Sequence, residues 1–196
     1  MIQNFLRRPQ TVAEACADAV RVLGALSVII AAVWFDLTDA GVLAFALPGL
    51  LIPRFLGTRA WVDITFGATL LVAAWSNVFD LYTRVVGWDL IVHFACTAAL
   101  AMVACLLLRR TGTITGPDFR SAMIATVLIT TMLGLALSAL WEMIEWLGCT
   151  YISDEIFVEY EDTISDMAVG GLGAAGAGFI IAFVPLLRSA AVGSAP

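Results

Sequence analysis

The chain contains no lysine, a single histidine (His93), and only 13% charged residues in a length of 196. A soluble domain carries about 25% charged and about 45–50% apolar residues, whereas 61% of this chain is apolar. So little charge excludes a soluble globular protein and a disordered tail. The formal net charge of −6 excludes a nucleic-acid partner, which needs a basic footprint. Other absences narrow the field further. No period-two alternation competes with the apolar runs, so strands are not expected. The four cysteines show no CxxC spacing, and with Cys149 alone placed near the outer surface, no disulfide within the chain is expected there. A phosphate-cradling glycine loop, a GxSxG elbow, an HExxH pair, a lipidation motif and an internal repeat are all missing. Residues 1–10 lack an apolar stretch after Arg7-Arg8, so a cleaved signal peptide is not expected, and 189–196 read as a short disordered end.

What the chain does have is long apolar runs, with a mean hydropathy of +0.97. Stretches free of Asp, Glu and Arg lie at 22–35, 40–53, 64–79, 90–108, 121–141 and 167–187. A helix crossing the hydrocarbon needs about 20 mostly apolar residues. The last three stretches reach that length alone, and the first three need flanking residues. The second carries Pro48 and Pro53 and is expected to be kinked or tilted. Thr11 and Glu14 have capping-box spacing, which places a helix start there. The fold expected is all-α: one polytopic membrane domain over 1–196, a bundle of about six transmembrane helices at roughly 17–36, 40–56, 61–80, 88–109, 121–147 and 163–187.

Nine of the ten arginines fall at the N-terminal side, in the second-to-third and fourth-to-fifth connections, and after the last span; only Arg84 falls on the other face. The positive-inside rule then puts both termini in the cytoplasm. Four acids (Glu14, Asp18, Asp63, Asp118) share the arginine face and twelve lie on the other, so the inner half carries +5 and the outer half −11.

Some of those acids lie in or beside spans, where ionisable groups are costly and mark functional sites by default. Span four has Asp89 and His93, span five Glu142 and Glu145, span six Asp162 and Asp166. Spacings of three and four put each pair on one helix face. Because neighbouring spans run in opposite directions, Asp89, Glu145 and Asp162 form a shallow tier. His93, Glu142 and Asp166 form a deeper one, about 4.5–6 Å further in at 1.5 Å per residue. Carboxylates this close cannot all stay ionised without a cation: protons are shared, or a metal enters. Oxygen ligands favour Mg²⁺, Ca²⁺ or Mn²⁺, and the one histidine keeps Fe²⁺ and Zn²⁺ in the set. The plainer alternatives are acids facing headgroup water, Asp162 complementing a helix N-terminus, and a hydrogen-bonded bundle histidine.

Weaker features complete the inventory. Gly170, Ala174 and Gly178 continue the Asp162–Asp166 face as a small-residue packing seam. Ser76 and Asn77 are expected to be exposed near the outer end of span three. Trp75, Trp88, Trp141, Trp146 and Tyr151 read as an interfacial aromatic belt. The acidic connection 150–161, with Ile156, Phe157, Val158 and Tyr160, reads as an interfacial segment covering the site.

Trp88-Asp89-Leu-Ile-Val-His93-Phe94, Trp141-Glu142-Met-Ile-Glu145-Trp146 and Asp162-Thr-Ile-Ser-Asp166-Met167 followed by glycine-rich sequence resemble, in order and spacing, the YjdF-type family of bacterial inner-membrane proteins. The likeness covers spans four to six, about half the chain. A looser similarity reaches VanZ-like proteins, associated with glycopeptide resistance at the cell surface, although Gly170 stands where those proteins show Asn. The resemblance implies a polytopic bacterial plasma-membrane protein and supplies no reaction. Three functions fit the residues. The first is a metal-dependent enzyme acting on a lipid or lipid-linked headgroup, with Glu142 or Glu145 as general base and His93 as ligand or acid. The second is a proton- or cation-coupled transporter, though its charges would be expected nearer the midplane. The third is an accessory subunit of a homo- or hetero-oligomeric membrane assembly.

Overall fold

The computed structural model describes residues 1–114, 122–153, 156 and 158–188, and every element named in them is helical. A short α1 (Ile2–Leu6) precedes α2 (Val12–Trp34), α3 (Leu37–Leu56) and α4 (Ala60–Val78); a single turn, α5 (Leu81–Arg84), leads to α6 (Trp88–Arg110), α7 (Met123–Tyr151) and α8 (Tyr160–Phe183). The protein is an all-helical polytopic membrane protein. Among the described residues, five helices (α2, α3, α6, α7 and α8) are long and apolar enough to cross a membrane. The expected third span forms α4, 19 residues long, which carries Asp63, Ser76 and Asn77. It packs against α2, α3 and α6, and so is held by protein more than by lipid.

The distribution of polarity is that of a lipid-solvated bundle. Val22, Leu23, Ile29 and Val33 on α2 and Ile124, Leu128 and Met132 on α7 are exposed, while Thr97, Thr126, Thr130 and Ser138 are buried. Thr130 and Thr131 return their hydroxyls to the carbonyls of Thr126 and Val127, at 2.7 and 2.8 Å, which removes a polar group that lipid would not solvate. Helices α2, α3 and α4 enclose Ala31, Ala40, Leu43, Ala74 and Val78. A second core of Leu56, Val62, Phe66, Val103, Leu106 and Ile181 joins α3 and α4 to α6 and α8.

Local chemistry sets the helix ends. Thr11 caps α2, its hydroxyl accepting from the Glu14 amide at 3.2 Å. The Glu14 carboxylate reaches back one residue further than a capping box requires, to the Gln10 amide at 2.7 Å. Asp36 and Asp39 form a full capping box on α3. Pro48 and Pro53 lie within α3, which the structure carries unbroken from Leu37 to Leu56. Gly57 ends that helix at φ 74°, where a side chain would be strained and a Cβ would meet the Asn4 amide at 2.6 Å. Helix α8 stops at Phe183, short of the expected 187, because Val184 precedes Pro185 and is driven extended (φ −112°, ψ 128°).

The arginine-rich end is welded as well as charged. Arg21 grips Asp63 with Nη2 at 2.6 Å from both carboxylate oxygens and Asp18 at 3.0 Å. Arg54, 8% exposed, pairs with Asp18 at 3.4 Å and donates to the Phe5 and Arg7 carbonyls. Glu14 pairs with Arg7 and, at 3.2 Å, with Arg188. The Arg59 amide donates to Leu186 O at 2.8 Å and the Arg188 amide to Gly57 O at 3.1 Å, tying the α3–α4 turn to the end of α8. The sequence reading gave these arginines a topological role alone.

Candidate functional site

At the opposite end, α6, α7 and α8 pack on one another and bring their ionisable residues together. His93 is 7% exposed, Glu142 8% and Asp166 2%, whereas Asp89, Glu145 and Asp162 are half-buried. The two tiers therefore differ in burial as the helical rise predicts. His93 is the hub. Its Nε2 lies 3.4 Å from Asp89 Oδ1 and 3.9 Å from Asp166 Oδ2, and its Nδ1 lies 3.7 Å from Glu142 Oε1. Ligand atoms of Asp89, His93 and Asp166 all fall within 4.8 Å of one another, and so do those of His93, Glu142 and Glu145. Asp162 stands at the same end but outside both groups.

These separations exceed a good N–H···O hydrogen bond of about 2.7–3.2 Å. They match two ligands of one ion: atoms about 2.1 Å from a common metal stand about 3.4 Å apart at the tetrahedral angle and about 4.2 Å apart when opposite. The donor set, four carboxylates and one imidazole, suits Mg²⁺, Mn²⁺, Ca²⁺ or Zn²⁺. Three buried oxygens in this region have no hydrogen-bond partner among the described residues: Glu142 Oε1, Asp166 Oδ1 and Ser138 Oγ. A buried polar atom left unmatched costs about 1–3 kcal/mol. No lysine or arginine lies at this depth on α6, α7 or α8. Arg84, itself exposed, is on α5 and pairs with Asp80 at 3.0 Å.

Four-residue steps along the three helices carry the arrangement inward as layers. Beneath His93, Glu142 and Asp166 lie Thr97, Ser138 and Gly170, all buried. A Cβ on Gly170 would stand 2.8 Å from Thr97 Oγ1 and 3.1 Å from Ser138 Oγ, so the glycine makes room for two hydroxyls. Below them, Ala101, Gly134 and Ala174 close the seam: a Cβ on Gly134 would collide with that of Ala174 and meet Ala101 Cβ at 3.4 Å. The seam read from sequence as packing alone is thus a polar floor over an apolar plug. Thr97 and Ser138 escaped the sequence reading; their only signal was lying one helical turn from His93 and Glu142.

The rim departs from expectation in two respects. Ser76 is buried at 1% exposure, not exposed; it accepts from the Trp88 indole at 2.9 Å and donates to Val72 O at 2.7 Å. Asn77 donates to Asp39 at 3.1 Å. Two residues of the aromatic belt are structural instead: Trp88 through Ser76, and Trp75 through a 3.0 Å bond to Ser27 Oγ and a stacked Phe79 at 5.2 Å. Trp141, Trp146 and Tyr151 are exposed, as a belt requires. Tyr82 donates to Ala73 O at 2.9 Å, and burial pushes its phenol pKa up, which keeps it a donor. In the 150–161 connection, Ile156 packs toward Gly148; residues 154, 155 and 157, on which a covering role depends, lie outside the described residues, as does the 189–196 end. All four cysteines are free.

A helical bundle with an imidazole and several carboxylates gathered inside one end defines a class: polytopic membrane proteins with a polar centre among their spans. Within it, the chain belongs to the family of predicted membrane proteins DUF2238, which matches residues 15–186 and to which the YjdF-type proteins belong. Comparison with curated proteins and with solved structures gives no match.

Proposed function

We propose that the protein is a bacterial plasma-membrane protein, with both termini in the cytoplasm, that binds one divalent metal at its outward end and acts there on a lipid or lipid-linked headgroup. The observation that carries the reading is the polar set around His93: Asp89 Oδ1, Asp166 Oδ2 and Glu142 Oε1 stand at ligand spacing from its ring nitrogens, and Glu142 Oε1 and Asp166 Oδ1 are buried without a hydrogen-bond partner among the described residues. Nine arginines on the face that holds both termini support the orientation. Asp89, His93 through Nε2, and Asp166 would hold the ion. Glu142 would then receive the Nδ1–H of the same ring, the carboxylate–histidine–metal arrangement that fixes tautomer and ring orientation. A divalent ion there supplies Lewis acidity to a phosphoryl or carbonyl oxygen.

The plug of Ala101, Gly134 and Ala174 favours this one-sided reading over transport, which needs access from both faces. The test is elemental analysis and Mn²⁺ titration of the purified protein: one metal per chain in the wild type and none in Asp166→Asn is the expected result. A wild-type protein that binds no divalent ion removes the proposal and leaves the cluster a structural element of a larger assembly.

A further inference from the structure

We infer that the headgroup recognised at this site carries an ammonium group, seated against Glu145 at the mouth of the cluster. The inference rests on the metal reading above and extends it to the substrate. A divalent ion on Asp89, His93 and Asp166 balances those two carboxylates. It leaves Glu142 and Glu145 together on the other side of the imidazole, their ligand oxygens within 4.8 Å of each other and of the ring. The two ring nitrogens diverge, so an ion on Nε2 does not reach this pair.

Helices α6, α7 and α8 bring no lysine or arginine to this depth, and Arg84 is engaged by Asp80. Glu142 Oε1 is buried without a partner. Glu145 is half-buried and so reachable from the rim, where Trp141 and Trp146 present exposed indole surface on the same helix. A cation meeting carboxylate and aromatic faces together is held by both. The surrounding half of the molecule, with twelve acids and one arginine, disfavours a headgroup whose charge is wholly negative. A zwitterion that places its phosphate at the metal and its ammonium at Glu145 meets both halves of the site.

Phosphoethanolamine and ethyl phosphate test this, since they differ only in the ammonium. Each is titrated into Mn²⁺-loaded, monodisperse protein by calorimetry. The expected result is one Mn²⁺ per chain, phosphoethanolamine bound about tenfold tighter than ethyl phosphate, that preference lost in Glu145→Gln and retained in Glu145→Asp, with Mn²⁺ stoichiometry unchanged in both. Equal affinity for the two ligands, or a preference that survives Glu145→Gln, overturns the inference and leaves the metal site standing. Two Mn²⁺ per chain also overturn it, by giving the glutamate pair to a second ion. Absence of Mn²⁺ binding overturns the metal reading itself, and with it this inference.

Discussion

His93 faces acids through both ring nitrogens, with Asp89 and Asp166 on one side and Glu142 on the other, so substitutions on the two sides should differ in kind. On the proposed reading Asp166→Asn removes a metal ligand, and it is expected to abolish measurable Mn²⁺ binding. Glu142→Gln removes the group that orients the ring, and a decrease of about 10–100-fold in Mn²⁺ affinity is expected; equal losses in the two variants would contradict the division of roles. A separate residue-scale prediction concerns the other end. Asp63 is 6% exposed and holds Arg21 bidentately. Removing one partner of a buried pair strands the other's charge, so Asp63→Ala should destabilise the protein by about 3–5 kcal/mol, read as a lowered unfolding midpoint in detergent, without changing Mn²⁺ stoichiometry. The depth of each acid was legible in the sequence, because rise per residue is fixed. Ser138 and Thr97 were not: a hydroxyl in an apolar helix reads the same whether it faces lipid or a neighbouring helix, and only packing settles its azimuth.

At the scale of helices, α8 presses on α6 through glycines that have no room to grow. A Cβ on Gly173 would strike the carbonyl oxygen of Phe94, the residue after His93. Backbone cannot swing aside as a side chain does, so Gly173→Ala is expected to cost about 1–3 kcal/mol and to weaken Mn²⁺ binding by shifting the turn that carries the imidazole. Gly176, three residues on, has nothing within 4 Å of a built Cβ. Gly176→Ala should leave metal binding intact and raise the unfolding midpoint slightly, through helix propensity. A comparable loss in both variants would show that the seam does not position the site. Element existence and order were readable from apolar run length. Boundaries were less so: the Thr11 cap marked the start of α2, but α8 begins at Tyr160, earlier than the apolar run, with no side-chain cap to signal it. The short α1 carried no periodic signal; its place comes from Arg54 and Asn4, whose side chains bond backbone carbonyls some fifty residues away.

For the whole molecule, the separation of charge gives an orientation that can be measured. In a cysteine-free background, Arg84→Cys should react with a membrane-impermeant thiol reagent in intact cells, and Arg110→Cys only after permeabilisation. The reverse pattern would place the acidic centre on the cytoplasmic side. The layered seam has a further meaning for the cell that carries such a protein. On the proposed reading, Ala101, Gly134 and Ala174 are an insulating stopper below a charged cup: chemistry at one leaflet would leave the barrier to ions beneath it sealed, and the energy stored across the bilayer would not be spent in keeping the cup filled.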